Sequence, residues 1–156
     1  TKLFPVRRDL MIKNAMCLIG LVAILAACGC LGSSLNNNPP DHIKDVSVIK
    51  EASGYQAYFI LADKAGQETT SDGQFKIKIS QGSGWYSLSN NVTASKFQKV
   101  KLGMGAFEHE GIIYNIGLIP KSKLEEYGLD SGKASVTLYF TTPNNETLNG
   151  EETVFL

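Results

Sequence analysis

Three side chains that commonly bind metal ions follow one another at Glu108, His109 and Glu110. Successive side chains of a β-strand point to opposite faces, so the two glutamates would share one face and His109 would lie on the other. They therefore cannot close on one ion, and the chain has one further histidine, His42. The pattern predicts a solvated polar end of a strand rather than a metal site, and no cofactor is expected.

Two other groups of polar residues could support ion binding or catalysis. Asp63, Glu68 and Asp72 fall around one loop and could bind calcium together with backbone carbonyls. Their spacing is not that of an EF-hand, and aspartate beside glycine often caps its own backbone, so turns are favoured. Gly82-Ser83-Gly84 lacks the Gly-x-Ser-x-Gly pattern of a nucleophile elbow and predicts a hairpin turn. No residue is assigned a catalytic role.

The adjacent aromatic residues Trp85 and Tyr86 could form a binding surface. On a strand they face opposite ways, so one of them points outward unless both faces of the sheet are covered. The lone tryptophan of a β-sandwich usually lies in the core. We therefore expect Trp85 to be buried and Tyr86 to be the surface residue that stacks on a sugar ring or anchors a partner.

A cysteine preceded by small residues ends an apolar run near the start of the chain. In Leu25-Ala26-Ala27-Cys28 the alanines leave room for a peptidase at the backbone, Leu25 fits an upstream pocket, and the Cys28 thiol can be alkylated before cleavage. These residues resemble a prokaryotic lipobox. The resemblance implies signal-peptidase recognition of Leu25, Ala26 and Ala27. It also implies a mature chain that begins at diacylglyceryl-modified Cys28, on the outer face of the membrane.

The regions around Cys28 predict the organisation of the chain. Residues 1–27 are interpreted as upstream residues plus a signal peptide, because the apolar run 16–27 has 12 residues and a bilayer span needs about 20. A short uncleaved anchor is the alternative. Residues 28–41 are rich in Gly, Ser, Asn and Pro, which predicts a lipidated, flexible tether. Residues 42–156 are left for one domain.

Charge and cysteine content argue against a nucleic-acid-binding protein and against a disulfide-stabilised domain. From Cys28 onward the chain has 11 lysines, no arginine and 14 acidic residues, a net charge of −3, which gives no electrostatic reason to bind nucleic acid. Cys17 lies in the leader, Cys28 is the lipidation site, and Cys30 has no partner further along, so it is either idle or a second acylated thiol. The domain is therefore expected to fold by burial alone, without a disulfide.

Apolar and polar residues alternate in short runs, which predicts an all-β domain. Residues 74–80 place Phe75, Ile77 and Ile79 on one face, and residues 134–140 repeat the pattern. Residues 55–62 and 112–119 are more continuously apolar, as expected of central strands. The weaker candidates are residues 46–49, 85–88, 97–102 and 153–156. Residues 120–128 predict one helical turn, with Ser122 as its N-cap and Gly128 at its end.

The segment 130–136, Asp-Ser-Gly-Lys-Ala-Ser-Val, resembles the segment that leads into strand F of immunoglobulin-like domains. Ala134 and Val136 stand where antibody domains have the corner tyrosine and the second cysteine, so an antibody-type domain is excluded. The resemblance implies an immunoglobulin-like β-sandwich of about seven or eight strands. Residues 61–66 and 70–75 are similar to hairpins of transthyretin-like sandwich modules. The whole mature region is similar to uncharacterised lipid-anchored sandwich proteins of methanogenic archaea and some bacteria.

These observations predict a non-catalytic binding or structural module of the cell envelope, anchored by acylated Cys28, with an envelope protein or a carbohydrate as its partner. Two sequons, at Asn91 and Asn145, are candidate glycosylation sites. One alternative is an envelope hydrolase or metal-dependent enzyme with a site on its loops. Another is an inhibitor or chaperone-like binder that uses an exposed strand edge.

Overall fold

The computed structural model describes residues 36–102 and 109–156. The expectations for the signal peptide, the lipobox and the first part of the tether lie outside these residues. In chain order the strands are β1 (His42–Glu51), β2 (Gly54–Ala62), β3 (Glu68–Thr69), β4 (Gly73–Gln81), β5 (Gly84–Val92), β6 (Gln98–Leu102), β7 (His109–Pro120), β8 (Lys133–Thr141) and β9 (Thr147–Phe155). Helix α1 (Lys121–Glu126) follows β7, and a 3-10 turn (Ala94–Lys96) follows β5. No described helix is long and apolar enough to cross a membrane.

The strands form two antiparallel sheets. One has the order β1-β2-β7-β6, with the short β3 paired to β2, and the other has the order β5-β4-β8-β9. These are the strand orders A-B-E-D and C′-C-F-G of the immunoglobulin fold. The predicted immunoglobulin-like β-sandwich is confirmed, and β8 takes position F, as the resemblance of residues 130–136 implied. Strand β3 raises the number of strands to nine within the described ranges.

Sequence alternation accounts for the inner faces of the strands. In β4, the predicted residues Phe75, Ile77 and Ile79 are buried and the lysines between them are exposed. Strand β8 alternates in the same way from Ala134 to Phe140. The two nearly continuous apolar runs form β2 and β7, which are the central strands of their sheet, as expected.

The core is centred on the ring of Phe59 in β2. Four aromatic rings surround it with centroid distances of 5.2 to 6.2 Å, namely those of Phe75, Phe97, Tyr114 and Phe140. Because Phe75 and Phe140 come from the opposite sheet, this cluster joins the two layers. The described residues thus form their core by apolar burial.

The two sheets also meet along one side, where β9 packs against β1. Gly150 in β9 makes this possible, because a Cβ atom there would lie 2.9 Å from Ile43 Cγ2 and 3.0 Å from Val46 Cγ2. A larger residue would push the strands apart. On the other side of the sandwich, β5 and β6 are the edge strands of their sheets.

The helical turn begins earlier than predicted. Its N-cap is Pro120, which makes no side-chain capping bond, and Ser122 lies inside α1, so the predicted N-cap at Ser122 is wrong. Proline favours helix starts because its fixed φ suits the first turn and it has no N–H to satisfy. The predicted glycine stop is correct, since Gly128 has φ of 74° and its N–H donates to the Glu125 carbonyl.

Residues 36–41 lie against the domain, although the sequence predicted that they belong to the tether. The side-chain amides of Asn36 and Asn38 donate hydrogen bonds of 3.0 and 2.8 Å to Asp63 Oδ2. The Thr69 hydroxyl has one hydrogen to share between the backbone carbonyls of Asn36 and Asn38, which lie 2.9 and 2.6 Å from it, and Pro40 is buried. We call Asn36, Asn38 and Asp63 the Asp63 clasp. The ordered domain therefore begins at least six residues before the predicted boundary.

Candidate ligand-binding face

The sheet β5-β4-β8-β9 exposes one face to solvent, and we call this surface the outer face. Paired residues of antiparallel strands share a face, so strand register defines three rows of side chains across it. The first row is Trp85, Ser80, Ser135 and Thr153; the second is Ser87, Lys78, Thr137 and Glu151; the third is Ser89, Lys76, Tyr139 and Asn149. Half of these side chains are short and carry hydroxyl groups, so the surface can both donate and accept hydrogen bonds.

The structure reverses the predicted roles of the two aromatic neighbours. Trp85 pairs with outward-facing Ser80 and is 54% exposed. Tyr86 pairs with fully buried Ile79, is half-buried against the core, and contacts the ring of Tyr127 at a centroid distance of 5.6 Å. The prediction of a buried Trp85 and an outward Tyr86 is therefore wrong.

Trp85 combines an exposed ring with a neighbouring positive charge. Lys78 Nζ lies 5.8 Å from the centroid of the indole, within cation–π range. The rest of the first row is formed by three small hydroxyl residues, so no bulky side chain of that row rises beside the ring. This arrangement offers a flat apolar surface next to hydrogen-bonding groups, which suits a ligand with one apolar and several polar faces.

The lysines on this face differ in their ion pairing from other lysines of the described residues. Among the described residues no carboxylate forms an ion pair with Lys76 or Lys78, whereas Lys44, Lys121 and Lys123 each pair with a glutamate. Glu151 shares a row with Lys78 but is two strands away, about 10 Å at normal strand spacing.

The carboxylate of Asp63 organises a turn. Its Oδ1 accepts hydrogen bonds of 2.9 Å from the backbone N–H groups of Ala65 and Gln67, which agrees with the predicted turn. Its Oδ2 accepts the two asparagine amides of the clasp. These bonds stabilise the ionised form, those from Asn38 and Asn36 most, and they lower the pKa of Asp63 from 3.8 to about 2.

This lowered pKa predicts that the Asp63 clasp loses strength in acid. A carboxylate with a depressed pKa in the fold stabilises it above the unfolded pKa, and the contribution disappears as the pH falls through the folded pKa. We expect Asp63→Asn to lower the urea midpoint at pH 6 and to differ much less from the parent near pH 2. Asp130→Asn is the matched control, because the described residues give its carboxylate no hydrogen bond. An unchanged difference between pH 6 and pH 2 would contradict this role of Asp63.

Glu68 and Asp72, the other two candidate calcium ligands, have separate partners. Glu68 bonds to Lys44 Nζ at 2.7 Å and accepts the backbone N–H of Ile112 at 2.6 Å. Asp72 accepts the backbone N–H of Ala94 at 2.8 Å. These contacts connect strands to one another and to turns. Because Glu68 and Asp72 bond to different parts of the backbone, their carboxylates do not point toward a common site.

The described residues at the start of β7 take part in strand pairing and in an ion pair. Glu108 lies outside the described residues, while His109 and Glu110 pair with Leu102 and Lys101 in β6. Glu110 forms an ion pair with Lys99, whose hydrogen bond lowers the pKa of Glu110. Searching residues 36–102 and 109–156 finds no group of three His, Cys, Asp or Glu side chains that could hold a metal ion.

The remaining candidates for a catalytic site are a serine in a turn and a cavity beside helix α1. Ser83 lies with Gly82 in the two-residue turn between β4 and β5, as predicted. A cavity of about 370 Å³ beside α1 is lined by residues that include Lys50, Tyr55 and Ser131, but by no histidine or cysteine. It therefore lacks the usual base for activating a serine nucleophile.

Both sequon asparagines are exposed. Asn91 lies near the end of β5 and pairs with Gln74, so its side chain lies on the outer face beyond the third row. Asn145 lies in the turn between β8 and β9 with φ of 63°. Their exposure agrees with their role as candidate glycosylation sites.

No protein-family model matches the chain, and no curated protein sequence does. Two crystal structures are similar to it, wild-type OgpA from Akkermansia muciniphila and catalytically inactive OgpA in complex with an O-glycopeptide (glycodrosocin) substrate. They share 13% and 12% sequence identity with the chain, and both have a TM-score of 0.48. The similarity covers 80% of this chain and 32% of OgpA, so the chain spans about a third of that protein. Similarity at this level assigns no function.

Proposed function

We propose that the protein is a lipid-anchored, non-catalytic binding module of the cell envelope, attached through acylated Cys28, and that its outer face holds the ligand. The observation that carries the binding role is the exposure of Trp85, the single tryptophan of the chain, on an otherwise polar sheet face. A tryptophan contributes most to folding when it is buried, and it is among the side chains most enriched at binding hot spots. Contact with a ligand is the simplest reason for its position.

The acidic side chains each bond to a different part of the fold, and this supports binding rather than catalysis. A catalytic site needs a nucleophile or acid–base pair that converges on one reacting atom. Asp63, Glu68 and Asp72 instead bond to different parts of the fold, and Glu110 pairs with Lys99. The outer face offers hydroxyls, amides and lysines, which are groups that hold a ligand.

The start of the ordered domain favours a position close to the membrane. Because residues 36–41 belong to the domain, seven residues separate Cys28 from Asn36. If these residues behave as the predicted flexible tether, they span about 15 Å. Because the outer face runs along the length of the strands, a ligand could reach it from the side of the domain even when the domain lies close to the membrane.

The test uses the fluorescence of Trp85, which reports on the proposed site without a label. The full chain in detergent is titrated with soluble envelope polysaccharides, and binding is followed by tryptophan emission and by calorimetry. For a polysaccharide that shifts the emission of the parent, we expect Trp85→Ala to weaken binding by about tenfold or more, as measured by calorimetry because the variant has no tryptophan. The control is Leu118→Ala, which removes an exposed apolar side chain from the opposite sheet. Equal affinities of the two variants would contradict a binding role for the outer face, and turnover of the ligand would contradict the non-catalytic role.

A further inference from the structure

We infer that the ligand of the outer face is an anionic polysaccharide, whose sugar rings stack on Trp85 and whose carboxylate or phosphate groups are bound by Lys78 and Lys76. This inference rests on the proposed function and adds the chemistry of the ligand to it.

The charge of the outer face is opposite to that of the domain as a whole. From Cys28 onward the chain has a net charge of −3. The three rows of the outer face contain two lysines, Lys76 and Lys78, and a single acidic residue, Glu151. Glu151 lies on the edge strand β9, so in these rows the only charged side chains on β5, β4 and β8 are the two lysines. A positive strip on an acidic domain attracts a negatively charged ligand.

The positions of the lysines match an extended ligand. Lys76 and Lys78 are two residues apart on β4, so their Cα atoms are separated by about 7 Å along the strand. Lys78 lies beside the Trp85 indole, and Lys76 pairs across the sheet with Tyr139, a second exposed aromatic residue. A chain that lies along β4 would thus meet an aromatic ring and a positive charge near each end of the face.

The hydroxyl groups between these residues favour a sugar over a protein partner. The centres of protein interfaces are rich in apolar and aromatic side chains, whereas the outer face consists mainly of serine, threonine and asparagine around Trp85 and Tyr139. Sugar rings have an apolar face that can stack on an indole and hydroxyls that can exchange hydrogen bonds with short polar side chains. With two free lysines the face is also too weakly charged for the phosphate contacts that dominate nucleic-acid binding.

The experiment compares two ligands that share one sugar backbone. Oligogalacturonate and its methyl-esterified form are titrated separately into the full chain in detergent at 50 mM salt, with Trp85 emission and calorimetry as readouts. We expect the charged form to bind at least tenfold more tightly, and the difference to shrink at 500 mM salt because exposed charges are screened. A second pair of ligands, a phosphate-bearing mannan and neutral mannan, tests whether phosphate serves as the anion in place of carboxylate. Tighter binding of the charged member in either pair supports the inference.

Two double variants separate a specific effect of the lysines from an effect of net charge. Lys76→Gln with Lys78→Gln should remove the preference for the charged ligand and leave the binding of the esterified form unchanged. Lys64→Gln with Lys96→Gln changes the net charge equally at exposed sites away from the rows, and it should retain the preference. Loss of the preference in this control pair would overturn the inference.

The outcomes also distinguish this inference from the proposed function. If neutral and charged ligands bind equally and Trp85→Ala weakens both, the outer face is a binding site and the anionic ligand is refuted. If none of these polymers alters the emission of Trp85 or gives heat of binding, the anionic polysaccharide is refuted and the binding role must be tested with protein partners. If binding occurs and Trp85→Ala leaves it unchanged, both proposals fail.

Discussion

Replacing Cys28 with serine is expected to abolish lipidation and to weaken the attachment of the protein to membranes, which then depends on the leader alone. Serine has no thiol to form the thioether, and a lipobox-directed peptidase acts on the modified precursor, so the variant should keep its leader or lose it at another site. Two acyl chains give stable attachment, whereas one gives only marginal binding. Mass spectrometry of the N-terminus and fractionation after a carbonate wash measure the two effects.

The matched control for Cys28→Ser is Cys30→Ser, which removes a thiol two residues further on. This variant should be processed and anchored like the parent. A parent chain with an unmodified N-terminus at a different residue would refute the lipoprotein interpretation. Equal loss of acyl label in both variants would show that labelling depends on both thiols, and an unchanged label in both would place the modification elsewhere.

Replacing Phe59 with alanine is expected to lower the free energy of unfolding by about 3–5 kcal/mol, the usual range for a buried phenylalanine. Phe59 is fully buried and its ring contacts four other aromatic rings, so truncation leaves a cavity that both sheets line. Since small domains are stable by about 5–15 kcal/mol, this loss would remove a large fraction of the stability of the domain. Urea denaturation followed by circular dichroism measures it.

Phe155→Ala provides the control for the same chemical change. Phe155 is 74% exposed at the end of β9, so its truncation removes little buried surface. We expect a change within about 0.5 kcal/mol, as for most surface substitutions. Similar losses in both variants would show that the Phe59 cluster does not hold the two sheets together.

The fold was predictable because its main strands carry a local pattern. Alternation in β4 and β8 needs only nine residues to identify an inner and an outer face, and the apolar runs of β2 and β7 are long enough to indicate central strands. Strand β3 was missed because its two residues pair with β2 without a pattern of their own.

The exposure of Trp85 could have been derived from the same sequence. A strand with Phe75, Ile77 and Ile79 inward places Ser80 outward, and a two-residue turn at Gly82 and Ser83 pairs Ser80 with residue 85. The usual burial of a lone tryptophan in a β-sandwich favours the opposite orientation. Strand register is the stronger constraint, because a shift of β5 by one residue would also turn Tyr86 and Leu88 away from the core that they pack against.

The clasp could not have been predicted from local sequence. Asn36 and Asn38 have the composition of a linker, and their partner Asp63 lies 27 and 25 residues away. Asparagine amides that stay hydrated in a flexible tether and those that bind a distant carboxylate look the same in the sequence. Whether these asparagines stay hydrated or bind a carboxylate depends on where the fold places Asp63.

The Asp63 clasp also determines how the domain would resist mechanical force. In the proposed anchored protein, a ligand pulled away from the membrane loads the described part of the chain from Asn36, and the clasp is the first connection there to resist. Behind it, β1 is held to β2 by a ladder of pairs from His42–Ala62 to Glu51–Gly54. A pull along β1 from its His42 end loads these pairs in shear, so that they resist together instead of opening one at a time. An intact clasp protects that ladder, and acid that protonates Asp63 would expose β1 directly to the load.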